Sequence, residues 1–283
     1  MDANEKGGKV GTTVIKIGGS IADDVRALAA EIAGGLAGAS GRNERFVVVH
    51  GGAAKTTEIA EKLGKPQKFV ESPGGFRSRF TDKESMDIFT MVTCGLVNKK
   101  LVEQMLQAGV NALGMSGADC GIVRAKRKDV LRVVENGKEK ILRGDYSGKV
   151  EAVNAMLLHK LLDAGVVPVI APVALSHENE LVSMDGDRSA AAIAGALRAE
   201  RLVIFTDVDG FFRNFPNDLV TQIRGSGELD AAMEVAKGGM KKKLLAAREA
   251  LDAGVHEVVI ANARIERPLA NALGGERRTV VRK

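Results

Sequence analysis

The chain holds no tryptophan, one tyrosine and two cysteines among 283 residues, and each scarcity removes a class of protein. With no tryptophan, a single tyrosine, and no helix-turn-helix, zinc-finger or RNP motif, nucleic acid is not expected as a partner. Cys94 and Cys120 form no CxxC pair and have no histidine at metal spacing, so no disulfide framework and no metal site are expected, and both thiols read as buried. No apolar run approaches the roughly 18 residues of a membrane span. The leading Met1-Asp2-Ala3-Asn4-Glu5-Lys6 lacks the apolar stretch of a secretory signal. The chain therefore reads as soluble and cytoplasmic, with no membrane partner. Both G-x-x-x-x-G-K-S/T and G-x-G-x-x-G are missing, which removes the signatures of P-loop NTPases and dinucleotide-binding domains.

What is present is a hydrophobic content of 45%, enough to bury a full core. Apolar, β-branched runs at 12–17, 46–50, 111–115, 167–174, 202–206, 257–261 and 279–282 read as strands. They are continuous rather than alternating, as strands buried on both faces are. Helical patterns lie between them, at 23–36, 56–63, 82–108, 153–164, 187–197 and 240–253. Thr81 with Glu84 reads as a capping box for the longest, and Gly109, Gly165 and Gly254 read as C-terminal stops. The order predicts an α/β fold, a three-layer α/β/α sandwich on a mostly parallel sheet. One charged, β-prone stretch, 122–143, breaks the alternation, and Asn136-Gly137 predicts a projecting β-hairpin, either a solvated ribbon or a lid.

Two glycine-rich turns, Gly18-Gly19-Ser20 and His50-Gly51-Gly52-Ala53, follow predicted strands and precede helices, where backbone N–H groups attract anions. Lys16 sits on a buried strand beside the first turn, which needs either an anionic partner or a path to water. In Met184-Asp185-Gly186-Asp187-Arg188, either acid can cap a helix or orient a lysine or a nucleotide-bound Mg2+. Lys241, Lys242 and Lys243 near a helix start oppose the helix dipole, a local cost that a bound anion would offset. Asp207, after another strand, either contacts nucleotide or belongs to an Asp-Gly turn. The net charge of +5 favours phosphate chemistry or an acidic protein partner.

Taken in order, Lys16-Ile17-Gly18-Gly19, His50-Gly51-Gly52, Asp185-Gly186-Asp187, Thr206-Asp207-Val208 and Gly239-Met240-Lys241-Lys242-Lys243 resemble the motifs of the amino-acid kinase family. The likeness is nearest to the branch that holds N-acetylglutamate kinase and the kinases of 2-aminoadipate or glutamate linked to an amino-group carrier protein. Ser72-Pro73-Gly74-Gly75-Phe76-Arg77-Ser78-Arg79 and Ser176-His177-Glu178-Asn179 carry the second resemblance. It implies ATP and Mg2+ as cofactors, phosphorylation of a side-chain carboxylate, a homodimer, and a small acidic carrier protein that Arg77, Arg79 and the basic stretch 124–128 would steer. It further implies an N-terminal lobe of about 10–180 on the amino-acid side and a C-terminal lobe of 181–283 on the ATP side. By resemblance, Lys16 and Lys243 stabilise the transferred phosphoryl group and Asp187 holds them. Gly18 and Gly19 lie on the nucleotide side with Asp207, and Gly51, Gly52 and Arg79 on the substrate side. Ser183 stands where the family commonly has an asparagine for the amino-acid portion. Free N-acetylglutamate as substrate and a non-catalytic amino-acid-binding regulator are the competing readings.

Overall fold

A computed structural model gives the architecture of residues 11–19, 21–38, 44–75, 77–135 and 137–283; Ser20, residues 39–43, Phe76, Asn136 and the segment before Gly11 lie outside the described residues. The chain begins with β1 (Thr12–Ile17), α1 (Arg26–Leu36), β2 (Arg45–His50), α2 (Ala53–Lys62), β3 (Lys68–Glu71) and β4 (Arg77–Phe80). One long helical rod follows: α3 (Lys83–Thr90), a π-helical segment (Met91–Val97) and α4 (Asn98–Gln107). Then come β5 (Ala112–Ser116), β6 (Val123–Glu135), β7 (Lys138–Val153), α5 (Ala155–Asp163), β8 (Val167–Ala171), β9 (Val173–Leu175) and β10 (Leu181–Ser183). The last third holds α6 (Gly186–Ala196), β11 (Arg201–Thr206), β12 (Gln222–Arg224), α7 (Gly225–Val235), α8 (Gly238–Asp252), β13 (Glu257–Asn262), α9 (Pro268–Gly274) and β14 (Arg278–Arg282).

Among the described residues the main sheet has eight strands in the order β12-β14-β13-β11-β1-β2-β8-β5, with β13–β14 its antiparallel pair. Successive side chains of a strand point to opposite faces, and the core divides accordingly. Val14, Val47, Val49, Leu202, Ile204 and Ile260 pack with α5, α6, α7 and α8. Ile15, Ile17, Phe46, Val48, Val203 and Phe205 pack with α1, α2, the long rod and α9. Continuous apolar strands thus feed two separate cores, which is the expected three-layer sandwich.

A second sheet, β4-β3-β6-β7-β10-β9, grows around the expected hairpin. The hairpin is longer than its sequence signal, because β7 runs on to Val153, which pairs with Val123. The helix expected from 153 therefore starts at Ala155, behind an Asn154 cap whose side chain accepts from Met156 N at 3.2 Å. The run 167–174 is not one strand: Pro172, lacking an N–H, ends β8 in the main sheet, and β9 joins the second. Asp82, not Thr81, caps the long rod, accepting from Ser85 N at 2.8 Å, while Thr81 is buried and donates its N–H to Asp145 at 2.8 Å. Gly109, Gly165 and Gly254 do end their helices, at φ of 81°, 70° and 94°, a left-handed turn that costs glycine little.

Candidate active site

Lys16 shares strand parity with Val14, so its side chain points into the α6–α8 layer, where it is only 7% exposed. An ammonium there is costly without a partner. The partner is Asp187, whose Oδ1 lies 2.6 Å from Lys16 Nζ. Lys243, from the second turn of α8, reaches the other oxygen of the same carboxylate at 3.4 Å. Burial alone would raise the Asp187 pKa, but the two ammonium groups outweigh it and hold the carboxyl below its ordinary range. The cluster keeps one positive charge in excess. Asp185 is the cap of α6, its Oδ1 accepting from Asp187 N at 3.0 Å and Arg188 N at 3.1 Å. Of the two acids in the motif, one caps and the other holds lysines.

The two glycine turns meet above this cluster. A Cβ on Gly51 would lie 3.1 Å from Gly19 N, and one on Gly19 would lie 3.2 Å from Gly52 N, so the backbones approach too closely for side chains. Gly186 closes the same corner, its Cβ position 3.4 Å from Lys16 Cε and 3.9 Å from Gly51 Cα. Gly18, the remaining glycine of the first turn, backs onto Phe205 O. His50 lies beneath the second turn rather than in it. Its ring is fully buried; desolvation, reinforced by the charge of Lys16, brings its pKa down to about 4 against the pull of the Gly51 carbonyl. The neutral ring donates from Nδ1 to Gly51 O at 2.8 Å and accepts at Nε2 from Asn98 Nδ2 at 3.0 Å. That pairing fixes both the tautomer and the Gly51 carbonyl.

Arg79, on edge strand β4, donates to Ala53 O at 3.1 Å and Thr57 Oγ1 at 2.9 Å, which brings it to the first turn of α2 beside Gly52. Its Nε is buried without a partner. Ser183 ends β10, buried, and donates to Tyr146 O at 3.5 Å. Asp207 is exposed at the carboxyl edge of β11, next to β1, and accepts from Thr206 Oγ1 at 3.2 Å. None of its described contacts reaches the lysine cluster. Two residues on, Asp209 anchors the same loop through Asn262 at 3.0 Å and Arg277 at 2.8 Å.

Several expectations change. Cys94 is half-buried, but Cys120 is exposed, because it sits in a short turn at φ 52° that leaves its thiol outside. Arg124 donates to Ser176 O and Asn179, and Arg127 pairs with Glu180 at 2.6 Å, so these two cations brace the second sheet from within. Lys242 donates to Arg77 O at 2.9 Å. Residues that sequence reasoning passed over include Thr93, whose methyl would meet a Cβ on Gly52 at 2.7 Å, and Asn98, which also donates to Val169 O at 2.8 Å. A buried polar pair on an otherwise apolar helix stripe was their available signal. Arg188 and Glu249, which join α6 to α8, gave none.

A carboxylate holding two ammonium groups at the carboxyl ends of parallel strands, below two glycine turns, can stabilise negative charge spread over a group in transfer. Comparison with known proteins agrees with that chemistry. The sequence profile of the amino acid kinase family matches residues 11–262. A LysW-aminoadipate kinase of Deinococcus radiodurans is 45% identical over 269 residues, covering 94% of this chain and 90% of that protein. One from Thermus thermophilus is 44% identical over 272 residues, covering 95% and 99%. An acetylglutamate kinase of Methanopyrus kandleri is 39% identical over 253 residues, covering 88% and 94%. Among solved structures, N-acetylglutamate synthase from Neisseria gonorrhoeae, complexed with coenzyme A and N-acetyl-glutamate, superposes with a TM-score of 0.77 at 25% identity; the match covers 96% of this chain and 59% of that one.

Proposed function

This chain belongs to the amino acid kinase family, and from that premise we propose that it transfers the γ-phosphoryl group of ATP to the side-chain carboxylate of 2-aminoadipate carried on a small acidic amino-group carrier protein of the LysW kind, with carrier-linked glutamate as the sibling substrate. The observation that carries the phosphoryl-transfer part is the Lys16–Asp187–Lys243 cluster. Near full-length identity to two kinases of carrier-linked aminoadipate supports the substrate.

The substrate carboxylate oxygen attacks the γ-phosphorus in line, the new O–P bond forming as the bond to the β-phosphate oxygen breaks, and ADP leaves with that electron pair. No enzyme nucleophile is needed. Lys16 and Lys243 act as point charges beside the moving group, and Asp187 keeps them from repelling one another. Gly18, Gly19, Gly51 and Gly52 form the backbone turns that flank the phosphates and carboxylate, the Gly51 N–H itself being donated to Ile17 O at 2.9 Å. Arg79, with one N–H unsatisfied on a half-buried guanidinium, grips a substrate carboxylate. Ser183 serves the amino-acid portion, and the Asp207 loop the nucleotide, with the lobes dividing at about 180 and 181. Mg2+, when bound, draws charge off the nucleotide's oxygens. Among the described residues no three His, Cys, Asp or Glu side chains cluster as a metal cage, and Asp187 is taken by the lysines, so the donor set fits an ion carried in on the phosphates.

The second sheet supports docking of the carrier. A surface hollow of about 250 Å3 there has apolar walls that include Phe69, Val134 and Leu142 and a rim of mixed charge, with Lys68 and Arg77 beside Glu71 and Glu135; the two cations are the groups that would meet an acidic carrier. A homodimer belongs to the same proposal, supported by two exposed leucines, Leu113 on edge strand β5 and Leu106 on α4. No helix among the described residues is long and apolar enough to cross a membrane, and a cytoplasmic site of action is proposed with the rest.

Purified protein given ATP, Mg2+ and hydroxylamine should yield a hydroxamate with carrier-linked aminoadipate. Turnover of free N-acetylglutamate alone would instead favour the reading that likeness to the Methanopyrus enzyme supports.

A further inference from the structure

Lys243 reaches Asp187 through a four-carbon stem and a 3.4 Å contact, so its place in the cluster depends on where α8 lies against α6. Two contacts fix that relation. At one end, Arg188 Nε donates to both oxygens of Glu249, at 3.0 and 2.9 Å, and Nη2 donates to Oε1. At the other, Gly195 meets Ala253 so closely that a Cβ on the glycine would lie 2.4 Å from the alanine methyl. Asp187 with Lys243, Arg188 with Glu249 and Gly195 with Ala253 occur in the same order along both helices. The two helices therefore run the same way and are pinned at three successive points.

We propose that Arg188 and Glu249 form a positioning pair that sets Lys243 against Asp187 and so tunes the phosphoryl-transfer step; the inference rests on reading that cluster as the transfer site. Arg188 is the chain neighbour of Asp187, and one helical step of about 100° turns it from Lys16 toward α8. Glu249 lies six residues, about 9 Å of helix, beyond Lys243. Arg188 would otherwise add a mobile cation beside Asp185 and Asp187; the forked bond to Glu249 holds it away from the reacting group. Each side chain is about a third exposed, at 32% and 34%, which makes the pair a weak contributor to stability. Its directional geometry is the stronger reason for its presence, because a misplacement of about 1 Å at a reacting site can cost roughly 100-fold in rate.

The test is a double-mutant cycle of Arg188→Gln and Glu249→Gln with the complete enzyme and carrier-linked substrate. Each single change should lower kcat about 10- to 100-fold with KM for ATP shifted less than about threefold, and the double variant should fall no further than the worse single. Losses that multiply, or singles that keep kcat within about twofold, would overturn the proposal. A second reading needs no turnover: reductive methylation of lysines, followed by peptide mass spectrometry, should label Lys243 faster in Glu249→Gln than in the parent while Lys237 is unchanged. Unchanged Lys243 labelling would also overturn it. A parent enzyme inert toward every carboxylate would sink the functional reading and with it the tuning of transfer, while the labelling result would still decide whether the pair positions Lys243.

Discussion

Lys16 and Lys243 carry the two positive charges that the proposed transfer requires, and each is removable without cutting the backbone. Lys16→Ala or Lys243→Ala should lower kcat by roughly 100- to 1000-fold, the usual loss for one preorganised donor, with far less effect on KM for ATP. Steady-state kinetics check this, and unchanged kcat in both variants would defeat the mechanism. His50 makes a different prediction. Its folded pKa of about 4 lies below the ordinary value of 6.5, so its neutral form is the one that folding favours. The stabilisation is whole above about pH 6.5 and is lost as pH falls toward 4, by about 3 kcal/mol in all. Urea unfolding of His50→Gln should show a flatter slope of stability against pH across that window. Asp187, held below its ordinary range, contributes stability that is whole above about pH 4 and is lost only as pH falls further and the carboxyl protonates. At this scale the sequence was readable wherever a residue broke a local rule: a lysine in a buried strand, or cations at a helix start. Glu249 broke none, since a glutamate on a helix needs no explanation until Arg188 is seen against it.

Elements were legible in proportion to their burial. The seven apolar runs became strands of the two sheets because both faces of the main sheet are covered, and continuous hydrophobicity is its direct imprint. Strands β3 and β4, reading Lys-Phe-Val-Glu and Arg-Ser-Arg-Phe, have no fully buried residue and carry no such imprint. β12 has three residues, too few for any period. Pro172 was visible in the run 167–174, but the sequence alone does not say that a second sheet waits to receive β9. The cap of the long rod gives a test of its own. Asp82→Ala removes the side-chain bond to Ser85 N and the 3.1 Å pairing with Lys65, and should cost about 1 kcal/mol in denaturant unfolding. Thr81→Ala should leave the cap unharmed, since the Thr81 backbone and not its hydroxyl makes the described bonds to Asp145 and Tyr146.

Over the whole molecule, the net charge of +5 is unevenly used: some cations brace the second sheet, whereas Lys68 and Arg77 share the rim of the hollow on its face with Glu71 and Glu135. If that hollow receives an acidic carrier, kcat/KM for the carried substrate should fall several-fold between roughly 0.05 and 0.3 M salt, as screening shortens the reach of these charges. Arg77→Glu should reproduce the fall at low salt by raising KM, leaving kcat near the parental value. A flat salt response would argue for a small free substrate.

The strand order β11-β1-β2 has one more consequence, for how the protein is made. β1 gains one neighbour soon after it leaves the ribosome but must wait for β11 to gain the other, and Lys16 waits longer still for Asp187 and Lys243. At about 5 to 20 residues per second, most of the synthesis time passes with that lysine lacking its counter-ion. Pairings of such long sequence separation also slow folding. A nascent or truncated chain ending before α8 thus has no completed charge cluster, so the transfer proposed for that cluster cannot begin until nearly all of the chain exists.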